Sequence, residues 1–357
     1  MARRPTLKDV AELAGVSVSA VSYALNDRSG VPLAEATKTR IRRAADELGY
    51  VPNRVARSLQ ARAARAIGVI LDKPLTSPRY AGIVEGIGIG LRDHDLQLTL
   101  VPGGAVEAAV EDARGGLLAG LIFIGHDDLS APPALVAQVL AHRIPFVALD
   151  CGERDAPYAT VDFDYATGVR QAVAHLAEQQ VTEVLYVRPD LDSRAEIQRE
   201  RALADELSAR GDTRLTVLSD GITAEKLETL DAHPGSLADH ITRLRTDIER
   251  ALRASSDPDL SRTAVLCAWG SDVEAAYRAA HAVGGVHVAS LAAGTLELDL
   301  WPNLFSSRLP LEEAGRACAD LIVAEVAGRA ESPHLLLAPT PAASATTIPL
   351  SDTGGRP

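Results

Sequence analysis

The residues whose types and spacing could do chemistry cluster near the start of the chain. Val18, Ser19, Ala20, Ser22, Tyr23 and Asn26 offer small, polar and aromatic tips within nine positions. Such tips suit phosphate oxygens, base edges and the thymine methyl group. Signatures of catalysis are missing. Gly86-Ile87-Gly88-Ile89-Gly90 has the wrong spacing for a dinucleotide loop and lies inside a helical stretch, so Gly82 and Gly86 are read as permitting close packing. The nine histidines show neither HxxxH nor HExxH spacing, and no serine sits in a GxSxG elbow. Cys151, Cys267 and Cys318 lack CxxC spacing, which gives neither a zinc pattern nor a disulfide framework. No catalytic residue, no metal and no cofactor is expected.

Three short helices must position the first group. Thr6-Leu7-Lys8-Asp9 is a capping-box start, in which the Thr6 hydroxyl accepts from the Asp9 amide. Leu7, Val10, Ala11 and Ala14 then recur at helical spacing until Gly15 breaks the run. Ser17 caps a second helix over 18–25, with Val21, Ala24 and Leu25 facing inward. A loop of turn-forming residues covers 26–32. A third helix over 34–48 turns Thr37, Ile41, Ala44, Ala45 and Leu48 inward, and Gly49 stops it. Two helices joined by a tight turn match a helix–turn–helix, and a plain three-helix bundle is the alternative. Residues 54–59 form a basic, helix-competent segment too short to be stable alone.

From residue 66 the texture changes. Apolar runs of strand length at 67–71, 96–101, 121–124 and 146–149 alternate with helical stretches, and the rhythm restarts at 165 and continues to 291. Such βαβα order predicts doubly wound parallel sheets in a two-lobed body with a cleft between the lobes. The stretch from Pro339 is rich in Ala, Thr and Pro and is read as a loose tail.

The formal net charge of −12 argues, as a single number, against a nucleic-acid partner. Its distribution argues the other way. Residues 1–65 hold 12 Lys or Arg and 6 Asp or Glu, a net +6, whereas 66–357 hold 24 and 42, a net −18. A small basic head precedes a large acidic body. No apolar run follows Arg3-Arg4, and none reaches membrane-spanning length, so a soluble cytoplasmic protein is expected.

The residues carry more than periodicity. Thr6 to Ser17 as a block, then Val21-Ser22, Leu25-Asn26 and the run Glu47 to Leu59 closely resemble the lactose-repressor/galactose-repressor (LacI/GalR) family, and the likeness continues more loosely to about residue 330. It implies an N-terminal helix–turn–helix domain over 1–50, a hinge helix and linker over 51–65, and a periplasmic-binding-protein-like body over 66–338 for effector binding and dimerisation. Residues 339–357 remain as the tail. The resemblance makes Thr6, Ser17, Val18, Ser19, Ala20, Ser22, Tyr23 and Asn26 the DNA-binding set of the head. Val18 and Ser19 take the main specificity positions. Tyr23 stands where the family usually has Arg, which puts the preferred base in doubt, since Tyr cannot make the bidentate contact to guanine. Ala20 replaces the usual Thr, and the loop after Asn26 is about two residues longer than usual. Asn53, Arg54, Ala56, Arg57 and Leu59 match the hinge, where Leu59 would wedge into the minor groove. An exposed linker leucine is the other reading.

In the body the same resemblance implies an effector site. Tyr80 takes a pocket-aromatic position, and Asp150 ends a strand that faces the cleft. Arg199 falls at the effector-binding arginine, with a lone surface arginine as the alternative. Asp272 opens a helix, as ligand contact or as N-cap. Trp269 and Trp301 line the cleft or belong to the core. Ala292-Ala293-Gly294-Thr295 replaces the family's Gly-aromatic-Asp, so an anchoring carboxylate is missing and a sugar effector is less expected. The expected protein is a repressor. It binds a pseudopalindromic operator as a homodimer, without the leucine heptads of a tetramer, and a small molecule in the cleft controls it. The alternatives are a solute-binding receptor of the same body fold, an α/β enzyme, or a regulator whose cleft holds no ligand.

Overall fold

The structure is a computed structural model that describes residues 5–25, 34–48, 64–125, 131–152, 155–232, 237–255, 260–292, 301–329 and 333–343. The chain divides into two compact units, Met1–Ala64 and Arg65–Pro357.

The first unit holds α1 (Leu7–Ala14), α2 (Val18–Leu25) and α3 (Glu35–Leu48). Its capping box is reciprocal. The Asp9 amide donates to the Thr6 hydroxyl at 3.4 Å, and the Thr6 amide donates to the Asp9 carboxylate at 2.7 Å. Gly15 ends α1 in the left-handed region at φ +64°, where a side chain would be strained. Two residues later the Ala20 amide donates to Ser17 Oγ at 3.1 Å and starts α2. Val10, Ala11, Ala14, Val21, Ala24, Ile41, Ala44 and Ala45 form the small core, with Leu7 and Leu25 packed against it. Leu48, expected inward, is exposed at the end of α3, beyond the reach of the other two helices' apolar faces.

The second unit has two lobes. Lobe 1 contains β1 (Ala66–Leu71), α4 (Pro78–Arg92), β2 (Gln97–Pro102), α5 (Val106–Arg114), β3 (Gly120–Ile124), α6 (Pro133–His142), β4 (Phe146–Leu149) and β5 (Ala159–Phe163). Lobe 2 contains α7 (Tyr165–Glu178), β6 (Glu183–Arg188), α8 (Arg194–Arg210), β7 (Arg214–Ser219), α9 (Ala224–Ala232), α10 (Leu237–Arg253), β8 (Thr263–Cys267), α11 (Val273–Val283), β9 (His287–Ser290) and β10 (Leu304–Arg308). The chain then returns to lobe 1 through α12 (Leu311–Val326) and β11 (His334–Leu337), and finishes in lobe 2 with β12 (Thr340–Ala343).

The two sheets run β11-β5-β4-β3-β1-β2 and β12-β10-β9-β8-β6-β7. All pairings are parallel except β10 with β12. Val69 sits between Leu100 and Ile122 in register. The inner strands are apolar on both faces because helices cover both sides of a parallel sheet.

The tail is therefore not loose from Pro339. Thr340–Ala343 is an edge strand, with Pro341 opposite Ser307. Proline is tolerated there because the outer side of an edge strand has no ladder partner. Gly86 has the expected packing role. A β-carbon on it would lie 2.1 Å from the Glu312 carbonyl oxygen, and one on Gly315 would lie 2.2 Å from the Ile83 oxygen. The backbones of α4 and α12 thus touch through paired glycines.

Candidate functional site

In the head, the exposed side of α2 carries Val18 and Ser19, while Ala20, Ser22 and Tyr23 are half-buried along its flanks and Val21 and Ala24 face the core. Thr6 and Ser17 hold the starts of α1 and α2 through their hydroxyls. Asn26 and the hinge residues Asn53, Arg54, Ala56, Arg57 and Leu59 lie outside the described residues.

In the body, the carboxyl ends of the strands of both lobes meet. Asp150 follows β4 with a left-handed backbone, φ +58°, a conformation that Asp adopts at some cost. From α4, Arg79 donates to Asp150 Oδ2 at 2.5 Å and to the Tyr165 hydroxyl at 2.9 Å. Tyr165 in turn donates to Asp150 Oδ1 at 3.0 Å. From lobe 2, Arg194 at the start of α8 reaches across to Asp150 and, at 3.3 Å, to Asp162 on β5. Gly152 makes room for it, since a β-carbon there would lie 2.3 Å from Arg194 Cδ. The Gly152 amide donates to Asp162 Oδ1 at 2.9 Å. Ser193 caps α8 by accepting from the Glu196 amide at 3.1 Å, which fixes the direction in which Arg194 leaves.

Arg199 lies one helical turn further along α8. It is 2% exposed, so it is not a lone surface arginine. Its guanidinium stands 4.7 Å over the Tyr165 ring and 3.7 Å from Glu196 Oε2. Glu196 also accepts from the Tyr186 hydroxyl. Burial pushes the Asp162 and Glu196 carboxyls up, against the pull of Arg194 and Arg199 respectively. Burial pushes the Tyr165 hydroxyl up to about 12, so it stays a donor to Asp150.

A second buried cluster belongs to lobe 2 alone. Asp220 follows β7, His240 lies in the first turn of α10, and Asp272 sits at the start of α11. One donor atom from each lies within 4.8 Å of the others. Asp272 is fully buried at the N-cap position, yet its side chain makes no capping bond. Burial, with Asp272 beside it, pushes Asp220 up to about 8, and burial pushes Asp272 up as well.

The remaining expected residues are spread out. Tyr80 packs into the lobe-1 core, and its neighbour Arg79 donates to Asp150 and Tyr165. Trp269 packs against the core beneath β8, and Trp301 stands edge-on to Tyr277 at 5.2 Å. The three cysteines are free and buried. Residues 293–300, with the missing Gly-aromatic-Asp, lie outside the described residues. Sequence reasoning missed Arg79, Asp162 and Arg194 as a set, and missed the Asp220–His240–Asp272 cluster. Each group comes from elements far apart in the chain, and only the fold joins them. Among the described residues no helix is long and apolar enough to cross a membrane.

Comparison with known proteins agrees with this geometry. The family model described as "Bacterial regulatory proteins, lacI family" matches residues 6–53. The HTH-type transcriptional regulator CelR of Thermobifida fusca is 30% identical over 95% of this chain and 96% of its own length. PtxS of Pseudomonas putida is 32% identical over 65% of this chain and 68% of its own. Among solved structures, a CelR–cellobiose complex aligns over 95% of this chain and 98% of that one, with TM-score 0.58 and 25% identity. The lac repressor dimer bound to operator and the anti-inducer ONPF aligns over 97% and 100%, with TM-score 0.74 and 22% identity, a likeness of fold. A helix–turn–helix head, two α/β lobes and a relative matched along nearly its whole length make this chain a member of the lacI family of DNA-binding transcriptional regulators, a family of regulators and not of enzymes.

Proposed function

We propose that the protein is a cytoplasmic repressor that binds a pseudopalindromic operator as a homodimer and answers to a small molecule in the interlobe cleft. In this reading residues 1–50 bind DNA, 51–65 form the hinge and linker, and 66–338 bind effector and dimerise. The observation that carries it is α2, capped by Ser17, with Val18 and Ser19 exposed on one side and Val21 and Ala24 buried on the other. Val18, Ser19 and Tyr23 read the half-site, with Thr6, Ser17, Ala20, Ser22 and Asn26 beside them. Asn53, Arg54, Ala56, Arg57 and Leu59 follow the minor groove, Leu59 as the wedge. In the body Arg199 and Asp150 contact the effector, with Tyr80, Trp269 and Asp272 at its margins. Arg194 supports the control step, because it belongs to lobe 2 and is paired with Asp150 and Asp162 of lobe 1. A ligand that competes for those carboxylates changes how the lobes are joined.

The test is retention of a palindromic duplex, selected from a random pool, by the full-length protein across a salt series. Affinity should fall steeply as salt rises, and a protein with no salt-dependent retention is not this regulator. Leu59→Ala should weaken the selected site far more than a random duplex; equal losses remove the wedge. A second reading, a regulator whose cleft holds no ligand, is favoured by one observation. Asp150 and Asp162 already have Arg79 and Arg194 as partners. A thermal-shift screen with sugars, nucleosides and small acids separates the two, because a bound effector raises the melting temperature.

A further inference from the structure

The Asp220–His240–Asp272 cluster sits where an open parallel sheet collects ligands. In lobe 2 the strand order reverses between β6 and β8, and sites gather at the carboxyl edge of such a switch. Asp220 follows β7, Asp272 follows β8, and both strands flank β6. The three side chains are 3%, 1% and 0% exposed in chain order. Asp220 Oδ2, His240 Nε2 and Asp272 Oδ2 are all buried without a hydrogen-bond partner. Unpaired polar atoms in a dry interior are costly, and two adjacent carboxylates cannot both ionise there without a positive charge. Among the described residues no Lys or Arg forms an ion pair with either one. Lys226 is turned to the Gly221 carbonyl at 3.2 Å, and exposed Arg243 lies on the other side of the ring, 3.3 Å from His240 Nδ1.

We propose that Asp220, His240 and Asp272 bind one divalent transition-metal ion, Zn2+ before Mg2+ or Ca2+. Two carboxylates balance its charge, and the imidazole selects against the hard cations, which take oxygen ligands. Zinc bonds of about 2.0–2.2 Å place tetrahedral ligand atoms roughly 3.4 Å apart. His240 Nε2 and Asp272 Oδ1 already stand 3.6 Å apart, and an Asp220 carboxylate oxygen lies within 4.8 Å of a ligand atom of each. Binding at Nε2 keeps the ring proton on Nδ1, so the exposed Arg243 side chain withdraws into water. Three protein ligands leave a position for water. Asp272 is shared with the margin of the proposed effector site, so the test reads metal retention with neither effector nor DNA present.

The experiment uses untagged full-length protein, stripped with chelator, dialysed and titrated with ZnCl2, MnCl2 or MgCl2. Bound metal is counted after gel filtration and the melting temperature is recorded. One Zn2+ is retained per chain, Mg2+ is not, and Zn2+ raises the melting temperature. His240→Gln and Asp220→Asn each lose the retained Zn2+ and the shift. A wild-type protein that retains no Zn2+ overturns the proposal. So does equal retention by His240→Gln, which locates the metal elsewhere. Should Asp220→Asn fail to fold, Co2+ substitution decides with His240→Gln alone. Visible bands of bound Co2+ are present in the wild type and lost in the variant, and their absence from the wild type overturns the site.

Discussion

Two groups of buried acids occupy the carboxyl edges of the sheets, and they solve the same electrostatic problem differently. At the lobe junction, Asp150 and Asp162 are paired with Arg79 and Arg194 and are further held by Tyr165 and the Gly152 amide. In lobe 2, among the described residues, Asp220 and Asp272 have no Lys or Arg ion pair; they lie beside each other and His240, with the Ile222 amide donating to Asp220 and the Ser271 hydroxyl to Asp272. The first group brings its cations with it and joins two lobes. The second leaves its charge to be answered by a proton or an ion, within one lobe. The difference shows that burial alone does not say what a carboxylate does; its partners do.

Substitutions of matched chemistry should separate the two groups. The largest effect is expected from Arg194→Met, which leaves two buried carboxylates short of a partner and lowers stability by about 3–5 kcal/mol in urea unfolding of the full chain. Loss of under about 1 kcal/mol would mean that the junction is wetter than its burial implies. Next, the same Asp→Asn change should act with opposite signs. In chelator-treated protein Asp150→Asn destabilises by about 3 kcal/mol, since Arg79 and Arg194 lose their anion. Asp220→Asn stabilises by about 1–3 kcal/mol, since the cost of holding a proton on one of two adjacent buried carboxyls disappears. Equal signs would erase the contrast.

The smallest effect concerns pH. Glu196 is held above its ordinary value by burial, with Arg199, Tyr186, Arg188 and Glu200 around it. The folded state therefore holds its proton more tightly than the unfolded one. Its contribution is full below the unfolded value near 4.3 and is lost as pH rises through the higher folded value. Glu196→Gln should flatten that part of the pH dependence of the urea midpoint, and an unchanged slope would assign it to other groups.

The head was legible because its determinants are local. Thr6, Asp9, Gly15 and Ser17 act through bonds spanning three or four residues, so their spacing is their structure. Arg199 came from the family resemblance alone, and the structure adds that it is buried over the Tyr165 ring. The junction was not legible as a set, because residues 79, 150, 162, 165 and 194 come from five places and share no period. The return of α12 and β11 to lobe 1 was equally hidden. His334–Leu337 pairs with Thr160–Phe163 across more than half of the body's length, and no window of sequence reports that. The strand Thr340–Ala343 was mistaken for tail because its composition is that of a loop.

The glycine contact between α4 and α12 also sets an order of assembly. Residues 66–163 leave the ribosome long before Leu311–Val326, and the face of α4 around Gly86 waits bare until then. β5 likewise waits as an open strand edge for His334–Leu337. Lobe 1 is thus begun first and finished only after the β6–β10 part of lobe 2 has been made. Such long-range closure slows folding and leaves apolar surface open to wrong partners in the interval.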